Sequence, residues 1–298
     1  MALVTPFRAG AIDETALARL VEWQIQRGSN ALVMCGSTGE AATLTAAEAM
    51  RVVRVAVEVA AGRVPVVGGC TAVATDQSIA LAMDAVRAGA DGLLCAPPPY
   101  VKPTQCGIAA HVRAIAHATD RPIVLYDVPS RVGVAIADAT VAGLFEDQLI
   151  VALKDATADL SRPPRLRALC GSDLLQLSGD DATAPAYRAM GGAGCISVTA
   201  NVAPALCAAL HRAWDAGDLV TFGRLRDQLD PLHAALFAES NPIPVKAALA
   251  ELGLCADAVR LPLTRASAAT RERLHALLPE MMAAAVGGSP RRHLALAG

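Results

Sequence analysis

The sequence predicts an α/β protein, a closed (β/α)8 (TIM) barrel followed by a small C-terminal helical domain. Three observations carry this prediction. Eight short apolar runs alternate with longer stretches of helical character over residues 1–217. Those runs do not alternate apolar with polar residues, the pattern of strands covered on both faces by helices. Beyond residue 217 the strand-like runs stop and only helical segments follow. A doubly wound open sheet is the alternative that periodicity leaves standing. No Gly-x-Gly-x-x-Gly follows an early strand, which speaks against a dinucleotide site.

In order, the expected strands are Ala2–Thr5, Ala31–Cys35, Pro65–Gly69, Gly92–Ala96, Ile123–Tyr126, Ile150–Lys154, Leu174–Ser178 and Cys195–Thr199. Runs such as Ile123-Val-Leu-Tyr126 are apolar at successive positions, as a doubly covered strand requires. Between them, Asp13–Arg27, Thr45–Ala60, Asp76–Ala88, Ile108–Ala118 and Ala182–Met190 read as helices. The first sets Leu17, Leu20, Val21 and Ile25 along one face. The second opens with Thr45-Ala-Ala-Glu48, a capping-box sequence. Asp218–Glu239, Pro244–Leu252 and Ser267–Ala285 form the helical domain of residues 218–286, broken by Asn241-Pro-Ile-Pro244. Residues 287–298, beginning Gly287-Gly-Ser-Pro290, read as a mobile tail.

Composition narrows the function. With 298 residues, 54% of them hydrophobic, the chain has ample core. A net charge of -2 argues against a nucleic-acid partner, and no run reaches the ~20 apolar residues of a membrane span. The start lacks a basic segment followed by a long apolar one, so no signal peptide is expected. The eight cysteines form no Cys-x-x-Cys pair and sit mostly in apolar runs. They read as small core residues in a reducing cytoplasm, with no metal site or other cofactor.

In such barrels chemistry gathers where strands end. Gly36-Ser-Thr-Gly-Glu40 follows the second strand, Pro97-Pro-Pro-Tyr100 the fourth, and Asp127-Val-Pro-Ser-Arg131 the Tyr126 end of the fifth. The sixth carries Lys154, the seventh runs into Ser178-Gly-Asp-Asp181, and the eighth holds Ile196-Ser-Val-Thr199. Of 26 basic residues only Lys102, Lys154 and Lys246 are lysines, and one of them stands in an apolar strand. An amine, unlike a guanidinium, can lose its proton and attack a carbonyl. The bland alternative is a structural lysine paired with Asp155. Ser37 and Thr38 as turn residues, Tyr126 as core, Tyr100 as a packing contact and Arg131 as a surface cation are the bland readings of the rest. Together they assemble an amine, two phenols, two hydroxyls and a guanidinium at one barrel end, a fitting site for a keto acid.

Six ordered motifs then carry a resemblance: Gly36-Ser-Thr-Gly-Glu40, Tyr126-Asp-Val-Pro-Ser-Arg131, Leu153-Lys-Asp-Ala-Thr157, Leu177-Ser-Gly-Asp-Asp181, Ile196-Ser-Val-Thr-Ala-Asn201 and Asn241-Pro-Ile-Pro-Val-Lys246. From Val4-Thr-Pro6 to about residue 285 the chain resembles the dihydrodipicolinate synthase family, among the pyruvate-dependent class I aldolases that include N-acetylneuraminate lyase. The resemblance implies a cofactor-free condensation of pyruvate with L-aspartate 4-semialdehyde in lysine and diaminopimelate synthesis. It implies that Lys154 forms the Schiff base, that Tyr126 moves protons beside it, and that Ser37 links two tyrosines in a hydroxyl relay. Tyr100 matches a tyrosine that crosses a dimer interface, in a homodimer or a tetramer built of two dimers. Thr38 would bind the pyruvate carboxylate, Arg131 the semialdehyde carboxylate, and Gly179 and Ile196 would line the pocket. Arg131 favours the synthase over the sialic acid lyases, which lack it. Other aldolases of the superfamily, acting on sugar-derived or aromatic acids, and a non-catalytic keto-acid-binding paralogue are the rival readings.

Departures from the family pattern carry expectations of their own. Ser37 replaces the usual Thr, Asp127 replaces Asn and adds negative charge near an acid-binding site, and Ala158 stands where Gly is common. The short segment before Val4-Thr-Pro6 points to a truncated first strand and a weak barrel seam. Ala46, Ala49, Val73, Gln77 and Pro99 stand at the polar positions of the family's lysine-inhibition pocket, which predicts insensitivity to lysine.

Overall fold

The computed structural model describes residues 1–286; the expected tail, 287–298, lies outside the described residues. Seven strands form one all-parallel sheet in sequence order: Leu32–Met34, Val66–Gly69, Gly92–Cys95, Ile123–Asp127, Ala152–Asp155, Leu175–Ser178 and Gly194–Cys195. The first expected strand is reduced to a single parallel bridge, Ala2 opposite Val33. That short segment still joins both sheet edges. The Leu3 N–H donates to the Val33 carbonyl at 3.0 Å, and the Ala2 N–H to the Ser197 carbonyl at 2.9 Å. Asn201 completes the seam with side-chain bonds: its Nδ2 donates to the Ala2 carbonyl at 2.8 Å, and its Oδ1 accepts from the Val4 N–H at 3.2 Å. The barrel therefore closes, with an amide doing the work of missing ladder bonds.

The eighth strand is shorter than expected for a related reason. Buried Asp181 takes the N–H groups of Val198 and Thr199 at 2.7 and 3.1 Å, and the Ser197 hydroxyl as well. With these donors held by a carboxylate, the chain turns into a 3-10 helix at Thr199–Asn201. A two-stranded hairpin, Phe7–Arg8 with Ala11–Ile12, follows the first segment.

The helices follow their caps. Asp13 caps Glu14–Gln26 through the Ala16 N–H at 3.0 Å, and Thr45 with Glu48 forms the expected capping box of Ala46–Ala60. Thr104 caps Gln105–Ala118, three residues ahead of the expected start. Thr75–Arg87 and Ala184–Ala189 fill their repeats, joined by Asp138–Glu146, Arg162–Cys170 and Pro204–Asp215. Side chains between helices and sheet make the main core, including Leu17, Val53, Leu93, Ile115 and Leu153. A second buried cluster, with Val33, Leu94, Tyr126, Val128 and Ile196, fills the barrel interior. Helices Leu219–Leu236, Ile243–Glu251 and Ala268–Val286 complete the described chain. The first of them packs Phe222 against Trp214, ring centres 5.0 Å apart and planes tilted by 53°.

Candidate active site

Strand register sets the centre of the site. Tyr126 and Lys154 are direct partners on adjacent parallel strands, so both side chains leave the same face. The Lys154 amine lies 4.1 Å from the centre of the Tyr126 ring, and both residues are buried. Asp155, next along the strand, points the other way. Its carboxylate accepts from the Thr157 N–H and hydroxyl at 2.9 and 2.6 Å and meets Arg162 at 3.4 Å. Lys154 is thus not paired with Asp155, and among the described residues no carboxylate lies within ion-pair distance of its amine. Burial lowers the amine to about 8, with Asp181 opposing the shift and Arg131 adding to it.

A cavity of about 500 Å³ opens above this pair at the C-terminal end of the strands. Ser37, Thr38, Tyr126, Arg131, Lys154 and Gly179 all lie on its wall. Ser37 neighbours the Tyr126 phenol on this wall; burial raises that phenol, while Arg131 and the Ser37 hydroxyl oppose the rise. Thr38, 2% exposed, accepts from Asn241 Nδ2 at 2.9 Å, leaving its own hydroxyl proton free to donate. Arg131 sits on the short helix Pro129–Val132 and donates to the Asn241 carbonyl at 3.0 Å. Gly179 has to be glycine, because a Cβ there would lie 2.9 Å from the Ala156 Cβ and 3.2 Å from the Lys154 Cε.

Two expected site residues stand apart from this group. Ile196 is buried in the inner cluster below, and Val198 takes the place on the cavity wall. Tyr100 lies off the wall, 90% exposed, on a loop held at φ +73°. A smaller, mainly apolar cavity of about 300 Å³ shares Ser37, Tyr126 and Arg131 with the first and reaches Pro99, beside Tyr100.

Asp127 does not line the cavity, although its charge helps to raise the Tyr126 phenol. It is fully buried off the cavity wall, where its carboxylate meets Arg162 at 2.7 Å and accepts from the Ile136 N–H at 3.1 Å. The Arg162 guanidinium also donates to Asp138 at 2.9 Å, so one buried cation serves three carboxylates.

The strand-end reading passed over Asn241, which appeared only as a helix break and inside a motif. Its side chain holds Thr38 and its carbonyl holds Arg131. The signal available was position: a polar residue inside an otherwise Pro- and Ile-rich break between helices. Phe237, Glu239 and Ser240, just before it, also line the cavity.

Comparison with known proteins agrees over nearly the whole chain. The model of the dihydrodipicolinate synthetase family matches residues 1–281. The 4-hydroxy-tetrahydrodipicolinate synthase of Rhodospirillum centenum is 51% identical over 278 residues, 93% of this chain and 96% of the relative. That of Acidiphilium cryptum is 49% identical over 279 residues, again 93% and 96% of the two chains. A solved dihydrodipicolinate synthase from Acinetobacter baumannii, chloride-inhibited and complexed with pyruvate, superposes with a TM-score of 0.91 at 41% identity, covering 94% of this chain and 97% of that one.

Proposed function

The chain belongs to the dihydrodipicolinate synthetase family, and we propose that it is a 4-hydroxy-tetrahydrodipicolinate synthase condensing pyruvate with L-aspartate 4-semialdehyde. The observation that carries the reading is the unpaired, buried Lys154 amine against Tyr126 on the wall of a polar cavity. A neutral amine attacks the C2 carbonyl of pyruvate, and loss of water gives the imine. Removal of a C3 proton gives the enamine, whose C3 adds to the aldehyde carbon of the second substrate. The amino group of that substrate then attacks C2 and displaces Lys154, closing the ring and restoring the free amine. The Tyr126 phenol, with Ser37 beside it, carries protons in these steps. Thr38, steadied by Asn241, takes the pyruvate carboxylate. Arg131, part exposed on the cavity wall, takes the carboxylate of the semialdehyde. The protein amine is the electron sink, so the reading needs neither metal nor organic cofactor.

Two further assignments belong to this proposal. Tyr100, exposed and beside the smaller cavity, reaches into the corresponding cavity of a second copy, which makes the dimer the working unit. Thiols that are all free fit a cytoplasmic enzyme.

The test has two parts. Pyruvate and borohydride should add the mass of a reduced pyruvate imine at Lys154, and Lys154→Ala should abolish it. A coupled assay with aspartate semialdehyde and a downstream reductase should then show the cyclic product. Labelling without product would move the chain to another aldolase of the superfamily, and absence of labelling would leave a keto-acid binder.

A further inference from the structure

Only three lysines occur in the chain, and a second one, Lys246, is also buried. It lies in the C-terminal region, on helix Ile243–Glu251, far in sequence from the strand-end residues. Its amine is bonded to Glu40, and both side chains are 0% exposed. The same amine donates to the Ala258 carbonyl at 2.8 Å and lies 4.1 Å from the centre of the Phe7 ring. The other oxygen of Glu40 accepts from the Arg260 N–H at 3.0 Å. Arg260 in turn lies over the same Phe7 ring and bonds Glu48, the Thr43 carbonyl and the Gly10 carbonyl. Two elements of the C-terminal region therefore close on one carboxylate of the barrel.

That carboxylate ends the loop carrying Ser37 and Thr38. Glu40 is held at φ +55°, a left-handed conformation that a non-glycine residue keeps only where its surroundings enforce it. The same C-terminal segment grips Thr38 from the other side, through Asn241, five residues before Lys246. Thr38 is thus fixed at two points, directly by Asn241 and through the loop by Glu40. An apolar pair would fill the same volume without fixing the direction of the loop.

We infer that the buried Glu40–Lys246 pair is a positioning device for pyruvate, holding the Gly36–Glu40 loop so that the Thr38 hydroxyl and N–H meet the substrate carboxylate. Neither residue touches the cavity reactants; Glu40 acts through Thr38, and Lys246 through Glu40. The inference rests on the proposed role of Lys154 and Thr38 in pyruvate capture.

The experiment uses the full chain with Glu40→Gln, Lys246→Met and the double variant, measuring KM for each substrate, kcat, the rate of borohydride-trapped imine formation, and thermal midpoint. Single variants leave a buried charge unpaired and lose stability. The double variant removes both charges together and keeps the fold. In every variant that folds, the inference expects the KM for pyruvate to rise about tenfold, with kcat at saturation and the KM for semialdehyde within about twofold. Trapping at low pyruvate should slow by the same factor. A folded double variant with a wild-type pyruvate KM, whatever its thermal midpoint, overturns the inference and leaves the pair a structural one. Should the unmodified protein itself form no imine, it is the proposed function that fails, and the two failures are told apart by that control.

Discussion

Raising and lowering pH across the Lys154 titration perturbs the one group on which the proposed chemistry depends. An ordinary lysine titrates at 10.5, and burial brings Lys154 to about 8. At pH 7 the neutral fraction is then about one in ten, against about one in 3,000 for the ordinary amine, a gain of about 300-fold in competent nucleophile. The sign follows from the charge: the protonated form is the inactive one, so activity falls on the acid side. The value of kcat/KM for pyruvate reports groups of the free enzyme. It should rise about tenfold per pH unit below 7, bend near 8 and level off above 9. Arg131 adds to the depression of the amine, so Arg131→Met should move the bend upward by a few tenths of a unit, roughly. Measured by initial rates over pH 6–10 with the coupling enzyme in excess, a curve still rising steeply at pH 10 would refute the desolvated-amine argument.

Other expectations follow from single positions. Ala158 holds φ +63°, so Ala158→Gly should relieve strain and, after the entropy cost of glycine, stabilise by about 0.5–1 kcal/mol, about 1–2 °C in thermal midpoint; an unchanged or lower midpoint by calorimetry would contradict this. Ser37→Ala removes the hydroxyl beside Tyr126 and should lower kcat by about 10²-fold, whereas Ser37→Thr, with a stiffer χ1, should match or modestly exceed the parent rate. Unaffected turnover in Ser37→Ala would remove it from the proton relay. With alanine at 46 and 49, valine at 73, glutamine at 77 and proline at 99, submillimolar lysine should leave initial rates unchanged. Arg162→Gln should destabilise by about 3–5 kcal/mol, because Asp127 and Asp155 face each other across adjacent strands with only this cation between them; a loss under 1 kcal/mol in urea unfolding would mean the two carboxylates do not repel as drawn.

What the sequence made legible was whatever is written locally. Unbroken apolar runs marked the six central strands, Thr45 with Glu48 announced a helix start, and a lone lysine in an apolar strand marked the site. The two strands at the seam were overdrawn because their ladder bonds are made by Asn201 and Asp181, side chains distant from the segments they hold. The ion pair of Asp127 was not legible for the same reason, since its partner Arg162 is 35 residues away. Asn241 reaches Thr38 across 203 residues, and no periodicity encodes a contact of that span. Local pattern specifies elements; pairs closed by the barrel specify where their polar atoms go.

Three buried cations show how the fold separates structure from chemistry. Arg162 is 2% exposed and is met by Asp127, Asp155 and Asp138. Lys246 is fully buried and is met by Glu40. Lys154, also buried, faces an aromatic ring and has no carboxylate in contact among the described residues, with Cys195 and Asp181 opposing the effect of burial from farther off. Burial penalises all three ammonium or guanidinium groups; the carboxylates in contact outweigh that penalty for Arg162, and Glu40 offsets part of it for Lys246. The third is left to respond by releasing its proton, which a guanidinium would not do at any accessible pH. Strand alternation produces the difference: by turning Asp155 to the helix side and Lys154 to the cavity, the β-strand separates adjacent opposite charges and leaves the amine uncompensated. A lysine one position later, on the outer face, would find Arg162's carboxylates and stay a cation. The reactivity proposed for Lys154 is thus a consequence of register, and it is the register that the Tyr126–Lys154 pairing fixes.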